Sequence, residues 1–219
     1  MLAERKRNKM SIILLTSAGM NVKGEILKIL PKPASKIKVA HIITAKNPRL
    51  KESPDYVIKD REAMESLGFK VEDIDIKGKE EKDLRKILLD KDVIYVQGGN
   101  TFYLLKYIRE SGFDKIVKDL INQGVIYIGV SAGSIVAGPT IETANWKHQD
   151  RNEVGLTDLT AMNLVSFNVF VHYGPEFTGI VGEELKKTKY PLHILTDSQA
   201  LLIRDGKVEM VGEGKEAVI

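Results

Sequence analysis

The chain alternates short apolar runs with stretches of helical spacing. Residues 12–15 (IILL) and 37–43 (IKVAHII) have the length and β-branched content of strands. Ser53 and Pro54 then read as the N-cap and first residue of a helix, with Ala63, Met64 and Leu67 as its apolar face and Gly68 as its end. Residues 69–76 (FKVEDIDI) alternate with period two, the pattern of a half-buried strand, and residues 80–89 repeat as an amphipathic helix. Residues 93–96 and 125–128 are continuously apolar, which fits strands covered on both faces. Between them, residues 102–123 are helical with a break at Ser111-Gly112.

After Gly138 the rhythm changes. Residues 165–173 (VSFNVFVHY) alternate like a strand, 176–187 read as a helix and 192–195 as a strand. Residues 200–203 and 208–211 flank Asp205-Gly206, a hairpin turn. The repeated strand–helix–strand order predicts an α/β fold, a mostly parallel sheet with helices on both faces and a C-terminal hairpin. With no repeat, low-complexity tract or linker, residues 1–219 read as one domain whose first ten residues form a flexible tail. Ligands of such sheets bind at the carboxyl ends of the strands, so chemistry is sought there.

Composition narrows the function classes. At 43% hydrophobic and 29% charged the sequence has the balance of a globular protein. A net charge of +3 is too small for tracking nucleic acid, and the compact basic cluster Arg5, Lys6, Arg7 and Lys9 reads as a solvated tail. Cysteine is absent, which removes disulfides, thiolate metal sites and a cysteine nucleophile and is compatible with a reducing compartment. The apolar run after the basic stretch is shorter than a signal-peptide core of ~7–15 residues. No stretch reaches the ~20 apolar residues of a membrane helix. A cytoplasmic protein without a membrane partner is expected, starting at Met1 or Met10.

Two glycine-containing turns carry candidate chemistry. Gly129-Val130-Ser131-Ala132-Gly133 follows an apolar strand and precedes a short helix at 134–137, the context that G-x-S-x-G requires. There a serine sits on a strained turn with its hydroxyl in the cleft, and the Ala132 N–H points at developing negative charge. Gln97-Gly98-Gly99-Asn100-Thr101 follows the strand at 93–96 and opens the next helix. A backbone donor there, with Ala132 N–H, would make a two-donor oxyanion hole, and Gly98, Asn100 and Thr101 would contact substrate. The competing reading is that Asn100 or Thr101 only caps the helix. Neither G-x-G-x-x-G nor G-x-x-x-x-G-K-[ST] occurs, and no histidine pair has zincin spacing, so neither nucleotide cofactor nor metal is expected. A serine nucleophile needs a base, normally histidine. His41 lies inside an apolar strand and His193 inside LHIL, both reading as buried sheet residues; His148, in the polar segment 146–152, and His172, at a strand end before a loop, are the candidates.

The segments VIYVQGGNTFYLL (93–105) and GVIYIGVSAGSIVAGPTI (124–141) resemble the peptidase S51 family, the peptidase E and cyanophycinase-like serine peptidases. LTSAG (15–19) and ITA (43–45) extend the resemblance. It implies a flavodoxin-like, class I glutamine-amidotransferase-like fold, with Ser131 as nucleophile, His172 as base, Asp197 as the orienting acid, and Gly99 and Ala132 as oxyanion donors. It also implies cleavage of dipeptides beginning with aspartate, of related α-aspartyl peptides or of cyanophycin. Two positions depart from the peptidase E branch. Trp146 stands where that branch has an aspartate. Its substrate-reading arginine is unmatched, with only Lys186 and Lys187 nearby, and lysine does not replace a bidentate arginine. The expected function is a serine peptidase of small peptides, dipeptidase-like, with aspartyl peptides as a candidate class, acting as monomer or homodimer. The alternatives are an esterase of α/β-hydrolase type, completed by Asp158 with His193, and a non-catalytic ligand-binding relative.

Overall fold

A computed structural model describes residues 10–46, 54–147, 150–217 and 219. The basic cluster Arg5, Lys6, Arg7 and Lys9, the cap expected at Ser53 and the alternative base His148 lie outside the described residues. The strands expected from apolar runs form β1 (Ile12–Thr16), β2 (Lys38–Ile42), β3 (Lys70–Ile74), β4 (Val93–Val96) and β5 (Ile126–Val130). They pair in parallel in the order β3-β2-β4-β5-β1. Strand β8 (Gln199–Arg204) adds antiparallel to β1, and β9 (Lys207–Gly212) closes that edge. The turn between them has Asp205 at φ 47° and Gly206 at φ 81°, the left-handed pair of a tight hairpin. This is the expected α/β fold with a mostly parallel sheet and a C-terminal antiparallel hairpin.

Period two along the strands divides the core. Leu15, Ile42, Val96 and Tyr127 face one side, packed under α3 (Glu81–Leu88), α4 (Thr101–Ser111) and α5 (Phe113–Asn122). Leu14, Val39, Tyr95 and Ile128 face the other, packed under α1 (Lys23–Lys28) and α2 (Asp55–Ser66). The break at Gly112 is real: φ 71° ends α4 and starts α5. Pro54 sits one position earlier than expected, as the extended residue before α2, because its ψ of 150° is not helical.

Three expectations shift. β5 runs on through Gly129 and Val130, since both pair with the end of β1, so helix α6 (Ala132–Ile135) begins directly after Ser131. The strand expected over 165–173 is only β6 (Asn168–Phe170), paired with β7 (Leu192–Ile194). The preceding residues give their hydrogen bonds elsewhere: the N–H groups of Leu164 and Val165 both donate to Ala137 O. His193 is half-buried rather than sealed in a sheet, because β6 and β7 form a separate two-stranded ribbon. Helix α7 (Thr178–Leu185) covers that ribbon, and Trp146, Phe170, Val181 and Ile194 make a small cluster beneath it.

Candidate active site

Parallel pairing brings the carboxyl ends of β1, β2, β4 and β5 to one edge of the sheet. Ser17 follows β1, Ala45 lies beyond β2, Gln97–Gly99 follows β4 and Ser131 follows β5. Because β8 runs the opposite way, its start lies at the same edge, and Asp197 is delivered there just before it. His172 arrives from beyond β6.

Ser131 has φ 48° and ψ −109°, a conformation that costs a non-glycine residue about 1–3 kcal/mol. The surroundings impose it. Its N–H donates to Thr16 O at 3.0 Å, and its carbonyl accepts from Ser134 N and Ile135 N. Ser134 Oγ donates to Thr16 O and Gly129 O, and Thr16 Oγ1 to Gly129 O, so β1, β5 and α6 are tied together under the turn. Gly129 and Gly133 are there for closeness. A Cβ on Gly129 would lie 2.6 Å from Gly133 O, and one on Gly133 would lie 2.1 Å from Val96 O.

His172 Nε2 lies 2.9 Å from Ser131 Oγ, and Nδ1 lies 2.6 Å from Asp197 Oδ1. With the proton on Nδ1, the imidazole donates to Asp197 and accepts from the Ser131 hydroxyl, the tautomer the network favours. His172 is itself left-handed, at φ 53°. Its N–H donates to Ser17 Oγ at 2.8 Å, and its carbonyl accepts from Lys147 Nζ at 2.8 Å. Ser17 Oγ donates to Asp197 Oδ1 at 2.7 Å, so one buried hydroxyl touches both partners of the imidazole–carboxylate pair. Burial pushes the Asp197 carboxyl up, but the hydrogen bonds from Ser17 and His172 and the nearby positive charge outweigh it, and the net direction is down. Lys147 moves the other way: burial over the Phe170 and Phe177 rings lowers it to about 8 against the pull of Asp197, Glu176 and Asp150.

The β4 loop faces this group. Gly99 takes φ 140°, and a Cβ there would collide with Ala45 O at 2.1 Å, so only glycine fits. Gly98 N–H is taken by Gln97 Oε1 at 2.7 Å, whereas the Gly99 and Ala132 N–H groups have no acceptor among the described residues. A Cβ on Gly98 would lie 3.0 Å from Ser131 Cβ, so this glycine gives the nucleophile its room.

Two recesses flank Ser131. One, about 50 Å³, is lined by Thr101, Thr143, Lys147, Asp150 and Phe170. The other, about 470 Å³, is lined by Ser17, Asn21, Tyr56, Lys59, Asp60 and Gln97. Gly99, Ser131, Asp150 and His172 belong to both. Burial raises the Asp150 carboxyl above its usual range, opposed by two hydrogen bonds from Thr101 and the charges of His172 and Lys147.

Among the residues singled out from sequence, Ser131, His172, Asp197, Gly98, Gly99, Thr101 and Ala132 converge at this edge. Asn100 does not line either recess. Its Oδ1 caps α4 by accepting from Tyr103 N, and its Nδ2 donates to Arg151 O, so the capping reading holds for it. His41 is buried in β2 against Asp73. The pair Asp158–His193 is not brought together: Asp158 bonds Arg109 and His193 bonds Glu216. Trp146 is core, and Lys186 and Lys187 pair with Glu183 and Glu184 at the surface. Ser17, Lys147 and Asp150 were not singled out. LTSAG at a strand end was the available signal for Ser17; the other two stand in a polar segment with no spacing to mark them.

A mostly parallel sheet with a serine–histidine–aspartate run at its carboxyl edge has the architecture of an α/β serine hydrolase. The chain belongs to peptidase family S51, whose model matches residues 12–211, and it is therefore a serine peptidase of the peptidase E-like kind. It is 32% identical over 201 residues to "Uncharacterized peptidase Lmo0363" of Listeria monocytogenes, covering 89% of this chain and 90% of that one. It is 34% identical over 125 residues to "Probable alpha-aspartyl dipeptidase" of Drosophila melanogaster, covering 57% and 49%. The crystal structure of a "Putative Peptidase E Protein" from Listeria monocytogenes EGD-e superposes with a TM-score of 0.81 at 31% identity, over 94% of this chain and all of that one.

Proposed function

We propose that Ser131, His172 and Asp197 act as nucleophile, base and orienting acid in the hydrolysis of small peptides, in the manner of a dipeptidase. The observation that carries this reading is the hydrogen-bonded run Ser131–His172–Asp197, with Nε2 at 2.9 Å from the hydroxyl. Ser131 Oγ attacks the scissile carbonyl carbon and His172 Nε2 takes the hydroxyl proton. The oxyanion forms against the Gly99 and Ala132 N–H groups, whose loss would cost ~3–4 kcal/mol each. His172 returns the proton to the leaving amine. Water, deprotonated by His172, then attacks the acyl-enzyme and releases the acid and free Ser131. Asp197 holds the imidazole in the required tautomer throughout. The roughly 470 Å³ recess suits a small ligand. A preference for an acidic acyl residue is supported by Lys59, which lines the larger recess together with Ser131.

A paired assay tests the reading. Aspartyl and neutral dipeptides are expected to be hydrolysed, and Ser131→Ala to abolish turnover. Turnover of p-nitrophenyl acetate with no cleavage of either dipeptide would show an esterase instead.

A further inference from the structure

Asp150 is an acid beside the nucleophile that the mechanism above does not use. It follows the polar stretch after α6 and reaches the start of α4, where its Oδ2 accepts from Thr101 N at 2.9 Å and from Thr101 Oγ1 at 2.5 Å. Its Oδ1 has no partner among the described residues. No cation among them stands within ion-pair distance; His172 and Lys147 act on it only at longer range. Lys147 is committed instead to the carbonyls of Val171 and His172. A largely desolvated carboxylate with two donors on one oxygen and no counter-ion among the described residues is an expensive arrangement for structure alone. It is a sound one for a site whose counter-ion arrives with the ligand.

We propose that Asp150 receives the free α-ammonium group of the substrate's N-terminal residue, so that the acyl group passed to Ser131 comes from an unblocked N-terminus. The proposal rests on the peptidase reading above. The position fits the chemistry. Asp150 lines both recesses together with Ser131, and Gly99 lies in the same wall. The α-nitrogen of an amino acyl group stands about 2.5 Å from its carbonyl carbon. A carbonyl pinned between Ser131 Oγ and the Gly99 and Ala132 donors therefore holds its ammonium within a few ångströms of the nucleophile. A metal ion is the poorer occupant, since no three His, Asp or Glu side chains converge among the described residues. The consequence is exopeptidase selectivity: an internal peptide bond presents an amide where Asp150 requires a cation, and an amide N–H leaves the carboxylate's charge uncompensated.

The test uses full-length protein and substrates differing only in the amine. Alanyl-p-nitroanilide is compared with propionyl-p-nitroanilide, and aspartyl-p-nitroanilide with succinyl-p-nitroanilide; each second compound is the first without its ammonium group. The wild type is expected to favour the amine-bearing member of a pair it cleaves by at least about 100-fold in kcat/KM. Asp150→Asn is expected to narrow that ratio below about 10-fold, through a raised KM for the amine-bearing compound. A misfolded variant would lower both members together and leave the ratio alone, and the wild-type comparison needs no variant. Equal cleavage of both members by the wild type, or an unchanged ratio in Asp150→Asn, would overturn the assignment of Asp150 and leave the peptidase reading standing. No turnover of any anilide or dipeptide would overturn the peptidase reading, and this proposal with it.

Discussion

Ser17 shows how much one buried hydroxyl can organise. It accepts from the His172 N–H and donates to Asp197, so it fixes the backbone of one partner and the carboxylate of the other. Replacing it with alanine removes a hydrogen bond that favours the charged carboxylate, so the Asp197 pKa must rise. The sign for stability follows. Asp197 is held below its usual 3.8, so its contribution is present above that value and lost as pH falls through the lower folded value. In Ser17→Ala the folded value moves up toward the usual one, so the contribution shrinks and its loss is complete at a higher pH; a carboxyl-carbon NMR titration of Asp197 reads the shift directly, and an unmoved titration would remove Ser17 from the network. A hydrogen bond of this kind is worth about 1 kcal/mol net, so kcat should fall about fivefold with KM little changed. LTSAG at the end of β1 marks this serine in the sequence but names no role for it. Its role exists only because β1 lies beside β5 and β8. The same holds for Asp150, whose partner Thr101 is 49 residues away.

At the scale of elements, the turn between β5 and α6 is a packing solution as much as a chemical one. Gly133 stands so close to β4 that a Cβ would meet Val96 O at 2.1 Å, and a backbone oxygen cannot rotate out of the way. Gly133→Ala should therefore cost roughly 3 kcal/mol. For a chain of 219 residues that lowers Tm by about 6–12 °C in calorimetry; a Tm within about 2 °C of wild type would show that α6 can shift freely. This turn was legible in the sequence because glycine, serine and alanine at fixed spacing between a strand and a helix leave few other conformations. The parallel strands were legible for a similar reason, as residues at 93–96 are apolar on both faces and both faces are covered. The stretch 165–173 misled because alternation says which residues are buried and not which backbone pairs. Val165 and Phe167 are indeed buried, yet their segment hydrogen-bonds to the end of α6 instead of to a strand.

For the whole molecule, the order β3-β2-β4-β5-β1-β8-β9 is what turns separate motifs into a site. It sets the β4 loop and Ser131 next to each other, and it places the antiparallel β8 where its entry residue Asp197 can reach His172. Periodicity foresaw the α/β layers, but not the strand order; Ser131 was readable from its turn, whereas the His172–Asp197 pairing came from resemblance and not from spacing. His172 and Asp197 are each substantially exposed, so the run stands open to ligands of the two recesses. The claim at the centre of this account is that Ser131 is a reactive nucleophile activated by His172. Labelling the folded protein with a fluorophosphonate probe and mapping the adduct by peptide mass spectrometry tests it most directly. The account predicts a single adduct on Ser131, absent in Ser131→Ala and formed at least about 100-fold more slowly in His172→Ala. Folded protein that stays unlabelled, or an adduct on another serine, would contradict it.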